Sequence, residues 1–304
     1  MRSRTGIAVR VLVIAVCAIS RGTAADDTPI ATVNGHEIAQ SDLDAAFVIR
    51  RVPADQQDEF RESVIEDLID RTLIAEFLDK RKSPAPETEL NAQLQLLRTA
   101  VEAGGTSLDE VLAGLGLNED RLRGYLALPL RWKAFVRRTV TDQQLKKYFE
   151  SHRARFDGTR VRVRQIVLSV PTDAAESDWS AAETKLKQVR QSIADGETSF
   201  EAAAREHSTS PSGGQGGDVG FVTYRGQLPP VVTEAAFALE PMVISEVIRS
   251  PFGVHLVQAV ERKAGEYSLE DVREDVWNER TREFWTEQVA LLRKSARIEI
   301  TTPN

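Results

Sequence analysis

The sequence predicts an α+β protein in which a small mixed domain interrupts a helical chain. Residues 40–155 and 268–296 have apolar residues at helical spacing and little strand pattern. From about residue 160 the pattern changes to strict alternation, and strands then alternate with short helices as far as residue 263. A chain of 304 residues with 41% hydrophobic residues is long enough for two domains with packed cores.

The first 25 residues are typical of a secretory signal peptide. They carry four arginines and no acidic residue, and an apolar run at 11–20 precedes small residues at 22–25 that resemble a cleavage site. The run is shorter than the roughly 20 residues that a membrane-spanning helix needs, although an uncleaved N-terminal anchor remains the alternative. We therefore expect the chain to be exported to the periplasm or cell envelope.

Charge and cysteine content exclude several classes of function. Removing the four arginines of the first 25 residues changes the formal net charge from −7 to −11, which argues against nucleic acid as a partner. Cys17 is the single cysteine, so the exported chain would have no thiol catalyst, disulfide or zinc–cysteine site. His36, His152 and His207 show no metal-ligand spacing, and we expect neither a metal nor a cofactor.

The helical part opens with a predicted β-hairpin. Asn34 and Gly35 separate two short strand patterns, and both residue types tolerate the positive φ of a two-residue turn. Ser41 is expected to cap the helix that follows. The last strand pattern, at residues 297–300, can pair with the first strand, which would join the N- and C-terminal segments into one lobe.

Amphipathic helices are predicted on both sides of the mixed domain. Pro-rich and Gly-rich breaks separate the first set. These helices are expected at 55–80, 87–103, 107–116, 119–140 and 142–156. Phe60 is expected on the apolar face of the first of them. The tail helix, residues 268–296, begins with a capping box formed by Ser268 and Asp271.

The mixed domain is predicted to follow the order β-α-α-β-α-β-β. Its strands are expected at 160–170, 218–222, 245–250 and 253–263, and its helices at 177–196, 199–208 and 230–239. A segment at 207–222 contains five glycines and leads directly into a strand. It does not fit a phosphate-binding loop, because no Lys-Ser/Thr pair follows the glycines and no helix begins there. A flexible linker is also disfavoured, because the next strand belongs to the same compact domain.

Five features in order resemble the parvulin-type (PpiC-like) peptidyl-prolyl isomerase family. They are the helix motif at 200–204, the serine-rich loop at 208–212, "GGDVG" at 216–220, "GQLPPVVTEAAFAL" at 226–239 and "FGVHLV" at 252–257. The opening hairpin and the split helical lobe are similar, more loosely, to exported foldases of the SurA and PrsA types. This resemblance implies a signal peptide, an N-terminal helical lobe, an isomerase domain and a returning helix and strand, at 1–25, 26–159, 160–263 and 264–304.

The resemblance also implies which residues form the site. The catalytic positions match Gln165, Ser210 and His255. The positions that contact substrate match Val219, Leu228, Val232, Ser250 and Phe252. Gln165 replaces a histidine of the family pattern, Ser210 replaces Cys or Asp, and Val232 replaces Phe. The basic cluster of phospho-specific members is absent, so a phosphoserine preference is not expected.

Rotation about an X-Pro bond makes and breaks no covalent bond, but it crosses a barrier of about 20 kcal/mol. An apolar pocket for the proline ring with a few hydrogen-bonding groups can favour the twisted amide. The implied function is an exported isomerase and folding factor acting on unfolded or nascent exported polypeptides. A holdase chaperone with a weakly active or inactive domain is the alternative, and an assembly factor with one dedicated partner is a third.

The residues themselves leave simpler interpretations open. Val219, Leu228 and Val232 could be ordinary core, since pocket and core share residue types. Gln165 could be an ordinary strand residue, and Ser210 could satisfy local backbone in a turn. The sequence does not decide between a monomer and a homodimer.

Overall fold

The computed structural model describes residues 28–114 and 117–301. The signal peptide expected at 1–25 lies outside the described residues. The chain divides into two compact units. We call the described residues up to 141, together with those from 279 onward, the helical unit, and residues 142–278 the mixed unit.

A small antiparallel sheet joins the two ends of the helical unit. Its strands are β1 (Pro29–Val33), β2 (His36–Ala39) and β7 (Ile298–Ile300), in the order β2-β1-β7. Asn34 and Gly35 have φ values of 52° and 89°, as the two-residue turn requires. The predicted hairpin and its pairing with the last strand are therefore confirmed.

Five helices between the described strands form most of the helical unit. They are α1 (Gln40–Arg50), α2 (Gln57–Lys80), α3 (Glu87–Glu102), α4 (Leu108–Gly114) and α5 (Glu119–Thr139). One buried cluster joins the hairpin to α1 and α2 through Val33, Leu43 and Ile69. A second cluster joins α3, α4 and α5 through Leu94, Val111 and Leu122. These helices match the predicted ones to within a few residues at each end.

Two predicted details of the helical unit are wrong. Helix α1 begins at Gln40, and the carboxylate of Asp42 accepts the Ala39 N–H at 3.0 Å. Ser41 therefore does not cap the helix; it is buried, and its Oγ accepts a hydrogen bond from Arg121 at 2.9 Å. Phe60 is exposed, because the buried stripe of α2 begins one turn later.

The mixed unit contains a four-stranded antiparallel sheet. Its strands are β3 (Arg160–Leu168), β4 (Asp218–Thr223), β5 (Ile248–Ser250) and β6 (Gly253–Lys263). The spatial order is β4-β3-β6-β5, so the two longest strands lie at the centre. Its helices are α6 (Asp142–Ser151), α7 (Arg153–Phe156), α8 (Glu176–Ala194), α9 (Phe200–His207) and α10 (Pro230–Ala238). The predicted order β-α-α-β-α-β-β from β3 to β6 is confirmed.

The two faces of this sheet pack against different helices. Ile166 and Leu256 belong to a core shared with α8 and α9, which contribute Leu186 and Phe200. Val163, Val257 and Ala259 belong to the core on the other face, which contains Val232 and Ala236 of α10. Because side chains alternate along a strand, residues 165 and 255 lie on the face that packs against α10.

The mixed unit extends beyond the boundaries expected from the sequence, at 159/160 and 263/264. The last helix, α11 (Leu269–Arg293), contributes Val276 to a buried cluster with Leu145, Phe149 and Phe156. The Tyr267 N–H also donates to the carbonyl of Asp157 at 2.9 Å. These contacts bring 142–159 and 264–278 into the same unit as the sheet. Across residues 28–114 and 117–301, no helix combines the length and the apolar character needed to cross a membrane.

Candidate functional site

Strand register places Gln165 and His255 close together on the face of the sheet that packs against α10. Gln165 of β3 lies opposite Val257 of β6, and Val167 lies opposite His255. Gln165 and His255 are therefore diagonal neighbours on adjacent strands. Two residues in such a diagonal pair are about 7–8 Å apart. Two of the three catalytic positions implied by the resemblance therefore lie on one face of the sheet.

A tight turn between β5 and β6 holds His255. The His255 Nε2 lies 2.7 Å from the Ser250 Oγ, and the Phe252 N–H donates to the same Oγ at 3.1 Å. Gly253 closes the turn with φ of 126°, a conformation that favours glycine. Ser250 and Phe252, both predicted as substrate contacts, are thus neighbours of the imidazole, with Ser250 buried and Phe252 68% exposed.

Burial keeps the His255 imidazole neutral. The residue is 3% exposed, and its Nδ1 has no hydrogen-bond partner in the described part of the chain. Burial penalises the charged form and lowers the pKa of His255 to about 4. At neutral pH the ring can accept or donate hydrogen bonds, but it does not act as a charged acid.

The glycine-rich loop lies along β3 and brings Ser210 to Gln165. The Gln165 Nε2 donates to the Ser210 Oγ at 3.3 Å, and this Oγ lies 3.1 Å from the Ser212 Oγ. Along the backbone, the Gln165 N–H donates to the Gly217 carbonyl at 2.9 Å. Gly217 has φ of 82°, and a Cβ there would lie 2.5 Å from the Gln165 carbonyl oxygen. This loop is therefore fixed against the sheet and is not a flexible linker.

The three aliphatic residues predicted to line the proline pocket belong to one cluster. Val219 and Leu228 are partly buried, whereas Val232 of α10 is 0% exposed. They share this cluster with Val163 and Val257, which lie on the same face of the sheet. Val219 and Leu228 can therefore contact a ligand directly, and Val232 supports them from within the core.

Two residues near this surface were not among the predicted site residues. Ile248 of β5 lies opposite His255 and is partly buried in the apolar cluster. Ser212 extends the hydrogen-bonded group of Gln165 and Ser210. The serine-rich composition of the loop is a signal that could have indicated Ser212. The position of Ile248 depends on strand register, which the sequence does not specify. Within the residues that the structure describes, no group of three His, Cys, Asp or Glu side chains is arranged to hold a metal.

Comparison with known proteins identifies a family match within the mixed unit. Residues 166–261 match the family model described as "Rotamase: PPIC-type PPIASE domain". A protein named Chaperone SurA from Albidiferax ferrireducens is 39% identical over 118 residues, covering 39% of this chain and 25% of that protein. Chaperone SurA from Chromohalobacter salexigens is 27% identical over 254 residues, covering 78% of this chain and 57% of that protein. The chain thus spans 25% and 57% of the lengths of these two relatives.

A third relative and a solved structure match over most of the chain. Foldase protein PrsA from Halalkalibacterium halodurans is 26% identical over 261 residues, covering 83% of this chain and 71% of that protein. The crystal structure of the peptidylprolyl isomerase PrsA from Bacillus cereus has a TM-score of 0.43 and 20% identity. It covers 92% of this chain and 95% of its own.

Proposed function

Residues 166–261 form a domain of the PpiC-type peptidyl-prolyl isomerase family, and from this premise we propose that the chain is an exported isomerase and folding factor. Its substrates would be X-Pro bonds of unfolded or nascent exported polypeptides. The observation that carries the proposal is the shared surface formed by Gln165, His255 and the cluster containing Val219 and Leu228. It combines apolar contacts with uncharged hydrogen-bonding groups.

This combination fits the chemistry of amide rotation. The barrier of about 20 kcal/mol arises from amide resonance, which is weaker when the amide lies in a less polar environment. An apolar surface that holds the prolyl ring while the preceding carbonyl turns would favour the twisted form over the planar one. No covalent intermediate is needed, so we propose no cofactor or metal.

We assign roles to the site residues on this basis. Val219 and Leu228 would contact the prolyl ring, and Val232 would keep them in position. Gln165 and Ser210 would offer hydrogen bonds to the carbonyl that turns. These two groups do not titrate in the physiological range.

The turn between β5 and β6 would supply the remaining groups of the site. His255 would act as a neutral hydrogen-bonding group, because burial lowers its pKa to about 4. Ser250 would orient its ring through the 2.7 Å hydrogen bond. Phe252, which is largely exposed beside them, would contact the polypeptide next to the proline.

The names of the relatives support the proposed partner and location. The terms chaperone and foldase agree with a substrate that is an unfolded polypeptide. The signal-like first 25 residues support export to the periplasm or cell envelope. We propose that residues 160–263 carry the isomerase activity, and that the parts of 26–159 and 264–304 that belong to the helical unit form the lobe that binds unfolded chains. A homodimer remains an open alternative to a monomer.

A second candidate function is a holdase chaperone with little isomerase activity. Gln165 and Ser210 differ from the family pattern, and these differences favour the holdase function. The complete burial of Val232 also favours it, since a buried valine offers no surface to a prolyl ring. The two candidates share a peptide-binding surface and differ in whether the bound amide turns faster.

A protease-free proline-peptide assay on residues 26–304 separates the two candidates. We expect cis-to-trans relaxation to accelerate in proportion to protein concentration, together with suppressed aggregation of an unfolded client. Suppressed aggregation without acceleration at micromolar protein would leave only the chaperone function. Absence of both effects would contradict the proposal.

A further inference from the structure

The helical unit contains a cavity of about 340 Å³ among helices α1, α2, α3 and α5. Most of its lining is apolar, including Leu97, Leu122 and Leu126. Ile49 lies at its edge and is 37% exposed. Cavities of 300–1,000 Å³ with apolar walls and a few polar groups are typical of small ligand sites. This cavity is at the lower end of that range and has room for one or two side chains.

The charged residues that line the cavity are two arginines and one aspartate, a net charge of +1. They are Arg50, Asp67 and Arg71. Asp67 forms an ion pair with Arg50. Arg71 forms no ion pair within the described part of the chain, although the Asp67 carboxylate lies near enough to favour its charged form. Its Nη2 donates to the Tyr125 carbonyl at 3.3 Å, a long hydrogen bond, and its guanidinium lies 5.5 Å from the Tyr125 ring.

An arginine in this position is difficult to explain by stability alone. Burial lowers the pKa of Arg71, and the nearby Asp67 carboxylate offsets this effect only in part. The group still carries its charge, since arginine stays protonated in proteins. Arg71 is half-buried and shares the Asp67 carboxylate with Arg50, so it gains little for the fold, and an apolar side chain of similar length would avoid the cost of burying its charge.

We propose that this cavity binds the C-terminal residue of an unfolded polypeptide, with the terminal carboxylate on Arg71 and an apolar final side chain against Leu97 and Leu126. The guanidinium can donate two parallel hydrogen bonds to a carboxylate. The proposal rests on the proposed binding of unfolded polypeptides and does not depend on isomerase activity.

The size of the cavity favours a chain end over an internal acidic residue. An internal Asp or Glu would have to bring backbone in on both sides, and buried backbone groups need hydrogen-bond partners. The apolar walls offer few such partners. A chain end brings in one backbone segment, and its carboxylate can pair with Arg71.

The test is fluorescence anisotropy with residues 26–304 and labelled heptapeptides that end in leucine. Three probes share one sequence: the free acid, the C-terminal amide, and the amide with an internal glutamate. We expect the free acid to bind about tenfold more tightly than either amide, since a hydrogen-bonded ion pair is involved. In Arg71→Met this preference should disappear, whereas the matched control Arg98→Met, which changes an arginine paired with Glu119, should retain it. Equal binding of acid and amide to the unchanged protein would overturn the proposal.

Two further measurements guard against a folding artefact. Ile49→Glu and Ile49→Lys change an exposed position at the cavity edge, and we expect them to weaken and strengthen free-acid binding respectively. Arg71→Met is expected to unfold at the same or a higher temperature than the unchanged protein, which a purely structural arginine would not allow.

A preference for the internal glutamate would overturn the assignment to a chain end. Equal displacement of the labelled amide and the labelled acid by dodecanoate would also overturn it. The isomerase assay is run in parallel on the unchanged protein. Normal isomerase activity without a preference for the free acid would contradict this proposal alone. A preference for the free acid without isomerase activity would contradict the isomerase function alone.

Discussion

His255 differs from most histidines in that burial removes it from titration near neutral pH. Its pKa is lowered to about 4, and its site neighbours Gln165, Ser210 and Ser250 carry no charge. We therefore expect the isomerase kcat/KM to be flat between pH 5.5 and 8. A stopped-flow pH series with a proline peptide lacking titratable side chains measures this. An inflection near pH 6.5 that His255→Gln removes would contradict the burial argument.

The same histidine makes stability depend on pH in a defined direction. The unfolded chain binds the proton at about pH 6.5, whereas the folded chain binds it only near pH 4, so the unfolded state gains protons first as pH falls. The contribution of His255 to the free energy of unfolding is therefore full above pH 6.5. It decreases between pH 6.5 and 4, by roughly 3 kcal/mol in total. Urea unfolding at pH 7 and pH 4.5 should show a smaller difference in His255→Gln than in the unchanged protein.

Leu228 tests the apolar part of the site. Leu228→Asp places a charge in the cluster that would hold the prolyl ring, and we expect isomerase activity to fall to background, because burying an unpaired carboxylate is unfavourable. Val231→Asp is the matched control, since Val231 lies on the neighbouring helix and is 44% exposed. Circular dichroism of both variants checks folding. Unchanged turnover in Leu228→Asp would show that the ring binds elsewhere.

At the residue scale, the sequence indicated which residues lie near each other better than it indicated their burial and hydrogen bonding. The motif around Gly253 indicated His255 and Ser250, and the structure brings them within hydrogen-bonding distance. The unpartnered Nδ1 of His255 and the full burial of Val232 were not predictable, because both depend on packing between segments far apart in the chain. The catalytic and substrate-binding roles of these residues remain predictions.

Among the elements, the glycine-rich loop depends on one glycine more than on the others. A Cβ at Gly217 would meet the Gln165 carbonyl at 2.5 Å, and its φ of 82° disfavours other residues. We expect Gly217→Ala to displace the backbone of Gln165 and to lower kcat/KM at least several-fold. Gly214→Ala is the control, since a Cβ there has nothing within 4 Å and requires no unusual φ. Equal activity of the two variants would show that the loop does not position Gln165.

Local signals explain which elements were predicted well. The hairpin turn at Asn34 and Gly35 is specified by the two residues that form it. Ser41 had an equally clear local pattern, yet it bonds Arg121, which lies 80 residues further along the chain. Asp42 takes the capping role from the first turn of the helix. Local sequence therefore predicts that a helix begins here, whereas contacts with distant residues decide which neighbouring side chain caps it.

On the scale of the whole molecule, every proposed isomerase residue lies in the mixed unit. We expect a fragment of residues 142–278 to show the same kcat/KM on a short proline peptide as the full chain, because such a peptide needs only the local surface. A chain in which this fragment is replaced by a short linker should show none. Much lower activity in the folded fragment would mean that the helical unit contributes to the site.

The limits of the mixed unit were the least predictable feature. The change of pattern near residue 160 marks the first strand, and the sequence places a domain boundary there. Leu145, Phe149 and Phe156 instead pack with Val276, which is more than 100 residues away. Helical periodicity identifies an apolar face, but it does not identify the partner of that face. The periodicity of apolar residues was enough to predict the fold class. The boundaries of the mixed unit depend on contacts between distant segments.

The pairing of β1 with β7 has a consequence for how the molecule is made. During synthesis, the first strand of the helical unit emerges long before residues 298–300, and one of its edges stays open until they appear. The mixed unit is contiguous in sequence and can fold on the ribosome in the meantime. Until residues 298–300 have been synthesised, a nascent copy of this proposed folding factor would therefore expose a strand edge that can pair with other chains.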